Sequence, residues 1–140
     1  MTGREFRKRQ ERTGRERAER LDQSALGRAM LVGTVLQVVL AILAHLSAWI
    51  ALHALLFGAM MISAVSGYLY ALDTGKGFAA GATGGVIAGG VCGLFGLAVS
   101  VVIGDTDPGL LIQNLVFFAF TGGIGGLFGQ MAAAMEPQRR

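Results

Sequence analysis

Three stretches of this chain, residues 30–72, 78–104 and 109–135, contain no Asp, Glu, Lys or Arg. A helix of a soluble protein keeps a charged or polar outer face, and these stretches have none. Uninterrupted apolar runs of about 18 residues or more read as membrane-spanning helices. As one helix the first stretch would be roughly 65 Å long, about twice the hydrocarbon thickness of a bilayer. It must therefore fold into two elements. The break is expected at His45-Leu46-Ser47-Ala48-Trp49, its most polar and aromatic part, since Trp and His suit the membrane interface. The pattern predicts an all-α integral membrane protein with spans at about 29–46, 50–72, 78–103 and 110–135.

The connectors carry turn chemistry. Asp73-Thr74-Gly75-Lys76 is a short polar turn, and Gly104-Asp105-Thr106-Asp107-Pro108-Gly109 a longer loop in which Asp107 can cap and Pro108 can open the next helix. Asp73-Thr74-Gly75-Lys76-Gly77 resembles a phosphate loop only superficially, because the GxxxxGK[ST] spacing and a preceding strand are missing. Tyr68 and Tyr70 are expected in an interfacial belt.

Charge then fixes an expected orientation. Residues 1–28 hold nine Lys/Arg and five Asp/Glu, and the whole chain has a net charge of +3. Residues 1–28 read as a basic cytoplasmic tail, disordered or a marginal helix, with Glu5–Arg9, Glu11–Arg15 and Glu16–Arg20 in the favourable order for i,i+4 pairs. Four spans place both termini on one side. The tail, Lys76 and the 136–140 tail with Arg139 and Arg140 then share the cytoplasmic face, and Asp105 and Asp107 take the other. The tail is too long for a signal n-region and the apolar run after it too long for a signal h-region. The expected location is a membrane, crossed several times, with a bacterial inner membrane favoured and both termini cytoplasmic.

Glycine is the second pattern. Gly77, Gly81, Gly85, Gly89 and Gly93 recur every four residues in span 3. In lipid, small residues at this spacing let helix backbones approach closely. Each glycine costs about 1 kcal/mol relative to Ala in an aqueous helix, so close packing must offset the ladder. The other side of the span (Thr83, Ile87, Val91, Leu94, Leu97, Val101) is bulky and suits lipid. Span 4 carries a matching device: residues 89–96 and 122–129 are identical at six of eight positions. Gly122, Gly126 and Gly129 are therefore candidate packing residues, and Ala59, Ser63 and Gly67 form a small-residue series in span 2. Spans 2, 3 and 4 are expected to form the tight core, with span 1 peripheral.

Few residues suggest chemistry. Gln37 lies near the centre of span 1, where a buried amide needs an interhelical partner. Cys92 is single, so it has no intramolecular disulfide partner, and it reads as a small core residue. No Ser/His/Asp set, carboxylate pair or metal-ligand spacing is visible, and no enzyme activity, metal or cofactor is expected. An ion-coupled carrier usually keeps an Asp, Glu, Lys or Arg within a span, and none is present. The expected function is a structural or accessory role, with glycine faces associating with further copies or with a larger membrane complex. A channel or facilitator for a small uncharged solute, including a holin-like pore, is the alternative, lined by glycine backbone, Thr83, Thr121 and Gln37. A haem or redox subunit using His45 and His53 is the third. The bilayer is the main expected partner, and nucleic acid is not expected as one.

Overall fold

The computed structural model describes residues 3–135, with side chains from residue 23 onward. The ion pairs expected within the tail lie outside the described side chains, and the 136–140 segment lies outside the described residues. The chain is all-helical: α1 (Gly3–Leu46), α2 (Ala48–His53), α3 (Leu55–Thr74), α4 (Phe78–Val102) and α5 (Leu111–Met135), with a 3-10 turn at Pro108–Leu110. Four segments are long and apolar enough to cross a membrane: Gln23–Leu46, Leu55–Thr74, Phe78–Val102 and Pro108–Met135.

The helix ends follow local chemistry. α1 stops at Leu46 because Ser47 turns extended (φ −140°, ψ 107°). The next apolar segment starts at Leu55, five residues later than the pattern placed it, because Ala48–His53 forms a short helix of its own. Gly75 closes α3 in the left-handed region (φ 57°), where its N–H donates to the Ala71 carbonyl. That is the usual reason for glycine just past a helix end. At the far end of α4, Gly104 also turns left-handed (φ 83°). The Asp107 carboxylate then accepts from Gly109 N–H at 2.7 Å, capping the 3-10 turn opened by Pro108.

Packing is inverted relative to a soluble bundle. The interior is built from small residues and a few polar ones: Ala29, Ala41, Ala59, Ala71, Ala88, Ser63 and Ser66 are buried. Large apolar side chains such as Leu31, Val35, Ile112, Val116 and Phe120 face outward. Water would penalise that exposure at about 25 cal/mol per Å² of apolar surface, whereas lipid does not. The arrangement is consistent with a multi-pass membrane protein.

α4 and α5 are antiparallel, with Gly81 beside Gln130 and Gly93 beside Phe118. α3 runs parallel to α5, since Ala64 sits by Gly125 and Tyr68 by Gly129. α1 packs on α3 and α4. Its buried positions Ala25, Ala29, Gly33, Gln37, Ala41 and Ala44 form a four-residue stripe of mostly small side chains. This stripe makes α1 a fourth close-packed helix, a role that its Leu and Val content had hidden.

Candidate functional site

The first structural centre is the glycine seam. A Cβ added at Gly85 would overlap the Gly122 carbonyl oxygen, and one at Gly122 would overlap that of Gly85. A Cβ at Gly89 would lie 2.7 Å from Gly122 Cα, and one at Gly126 would strike the Gly81 carbonyl. Gly81 faces Gly126 and the Gln130 side chain, and Gly93 faces the Phe118 ring. Gly129 meets α3 at the Tyr68 carbonyl, while Gly67 of α3 meets Gly122 and Gly126. Helices α3, α4 and α5 therefore touch main chain to main chain, inside one molecule.

Gly77 does not belong to this seam. It lies one residue before α4 with φ 100°, and a Cβ there would meet nothing within 4 Å. Its four-residue spacing is incidental, and its left-handed backbone is what requires glycine. Two bulky positions also depart from expectation. Leu97 is buried against Ala59 and Phe118 and does not face lipid. Tyr70 turns inward over Gly84 and does not join an interfacial belt. Tyr70 takes up the space that the missing side chain of Gly84 leaves.

The second centre is a polar cluster in the middle of the bundle. Gln37 is 3% exposed. Its Nε2 donates to the Ala59 carbonyl at 2.8 Å and to Ser63 Oγ at 3.3 Å. Ser63 Oγ donates to the Gly89 carbonyl, as does the Cys92 thiol, which also reaches Ser66 Oγ at 3.6 Å. The amide thus joins α1 to α3, and the two serines carry the link to α4. Sequence placed Gln37 between helices; Ser63, Ser66 and Cys92 as its neighbours follow only from the packing.

Gln130 makes a second clamp near the opposite end. Its Nε2 donates to the Ala71 carbonyl at 2.6 Å, and its Oε1 accepts from Gly77 N–H at 2.9 Å. One side chain on α5 therefore holds both sides of the α3–α4 turn. The one readable hint was an amide placed one residue beyond the last glycine of the ladder.

The histidines sit apart from these clusters. His45 Nδ1 lies 3.2 Å from both carboxylate oxygens of Asp105, tying the end of α1 to the loop after α4. His53 Nδ1 donates to the Trp49 carbonyl and its ring stacks on the Trp49 indole. Among the described residues, no group of three or more His, Cys, Asp or Glu could hold a metal ion. Thr83 and Thr121 donate to carbonyls of their own helices, Ala79 and Phe117.

Between the loop end and Gln37 lies a cavity of about 270 Å³. Leu55, Ala59, Leu97 and Phe118 line its sides, and Asp105, Asp107 and Asn114 stand toward its mouth. Comparison with protein-family models, with curated proteins and with solved structures finds no match for this chain.

Proposed function

We propose that this chain is a small polytopic membrane protein with a structural or accessory role. It is a pre-formed four-helix unit that joins further copies of itself or a larger membrane complex, with both termini on the cytoplasmic side. The observation that carries this reading is the main-chain contact of α3, α4 and α5 through Gly67, Gly85, Gly122 and Gly126. Along that contact the helices leave no room for a side chain between them. The glycines then act as internal fasteners, and a partner meets the outer surface, where the large apolar side chains stand.

The absence of Asp, Glu, Lys and Arg from 30–72, 78–104 and 109–135 supports the same reading, because coupled transport usually requires one of them within a span. Mild-detergent extraction followed by intact-complex mass measurement tests it. The expected result is a complex of defined stoichiometry, together with no solute flux in reconstituted vesicles. A lone monomer that passes small uncharged solutes would overturn it.

A further inference from the structure

The cavity at the loop end has features that the accessory reading does not use. It is bounded by α1, α3, α4 and α5 and reaches down to Gln37. Gln37 lies eight residues before His45, and His45 is bonded to Asp105 at the mouth. At 1.5 Å per helical residue the floor is therefore about 12 Å below the mouth.

The Gln37 amide is committed on one side only. Its nitrogen is held by the Ala59 carbonyl and Ser63 Oγ. Its Oε1 faces Gly96 and accepts from no donor among the described residues. Gly96 matters here, because a Cβ at that position would lie 3.0 Å from Oε1. A 97%-buried side chain thus presents an open acceptor at the floor of an apolar shaft. No fully buried side-chain oxygen or nitrogen among the described residues lacks a partner, so this acceptor is reached through the cavity that Gln37 lines, where a donor can meet it.

The mouth supplies the opposite selectivity. Asp105 and Asp107 line it, and the described chain beyond Asp73 has Lys76 as its single Lys or Arg, at the other end of the bundle. Asp107 and the His45-bonded Asp105 disfavour an anionic ligand there. The shaft wall (Leu55, Ala59, Leu97, Phe118) is apolar. An apolar cavity of about 150 Å³ is enough to take up benzene, so about 270 Å³ accommodates a ring with a polar substituent.

We infer that this cavity is a binding site for a small uncharged amphiphile whose O–H or N–H donates to Gln37 Oε1. The ligand enters from the Asp105–Asp107 side with its donor leading, and its apolar body fills the shaft. This site and the outer docking surface are different parts of the molecule, so either reading can fail alone.

The test uses the full chain in lipid nanodiscs and fluorine NMR, with protein-free nanodiscs as the partition control. The probes are para-fluorobenzyl alcohol, para-fluorotoluene and para-fluorobenzoate. The alcohol is expected to bind saturably. The toluene, which lacks the donor, is expected to bind roughly three- to tenfold more weakly, the worth of one hydrogen bond. The benzoate is expected not to bind. Gln37→Leu should bring the alcohol down to the level of the toluene, and Leu55→Trp should fill the shaft and abolish both. Equal binding of alcohol and toluene, no saturable signal from the alcohol, or binding that survives Leu55→Trp would each overturn the inference. The comparison of alcohol with toluene on the unaltered chain decides even where a variant does not fold.

Discussion

Gly85 and Gly122 show what a single hydrogen in place of a methyl accomplishes, since each lies against the other's main-chain oxygen. A side chain cannot be added to either without pushing α4 and α5 apart. Gly85→Leu is expected to destabilise the monomer itself by about 1–3 kcal/mol or more, the range of overpacking. Ile87→Leu, on the exposed side of α4, should change little. Thermal unfolding in detergent measures both, and equal melting of the two variants would remove the seam as the main constraint. Cys92 is fully buried beside Ser63 and Ser66. It is expected to resist a water-soluble thiol reagent in the folded protein and to react only after denaturation. The glycine ladder and Gln37 were legible as residues. The phase of the bulky positions was not: Leu97 packs inward against Ala59 and Phe118, and Tyr70 takes the room left by Gly84. That room is a property of a neighbouring helix, which no local pattern encodes.

At the scale of elements, the α3–α4 turn is held by three devices. Gly75 reverses the chain, Gly77 starts α4 from a left-handed conformation, and Gln130 bonds to both sides of the turn. Gln130→Leu keeps the bulk of the side chain and removes both hydrogen bonds. The expected cost is about 1–3 kcal/mol, with the Gly77 amide left short of an acceptor. Backbone hydrogen exchange should rise first at Gly77 and its neighbours, and unchanged protection there would argue against the clamp. The ends of α3 and α4 were legible because Gly75, Gly104 and Pro108 are strong punctuation. The start of α3 was not, because Ala48–His53 contains no Gly or Pro and its sequence is compatible with either a continuing span or a separate short helix. The close-packed stripe on α1 was readable in principle, as Ala25, Ala29, Gly33 and Ala41 share one four-residue spacing. Alanine is common enough in helices that the spacing stood out less than a ladder of glycines.

For the whole molecule, the membrane setting and the bundle's inverted packing describe the same physics. Lipid tails are as apolar as Leu, so burying large side chains gains little there, and helices associate by close van der Waals fit and by hydrogen bonds. The small interior and bulky exterior follow from that. The proposed orientation predicts that cysteines placed at Asp107 and at Lys76 in a Cys92→Ala background label from opposite sides of a sealed membrane. Labelling of both from one side would overturn the N-in, C-in arrangement. The sequence by itself determined that the chain is helical, that four segments are apolar enough to cross a bilayer, and that glycine governs the latter half. These depend on composition and on spacing along one helix. Tertiary structure alone decided which glycines face which, that they are matched within the molecule, that Gln130 spans a turn more than fifty residues away, as the Gln130–Gly77 bond records, and that a shaft opens above Gln37. Each of these is a relation between helices, fixed by rotation and offset about their axes, and a linear pattern leaves both free.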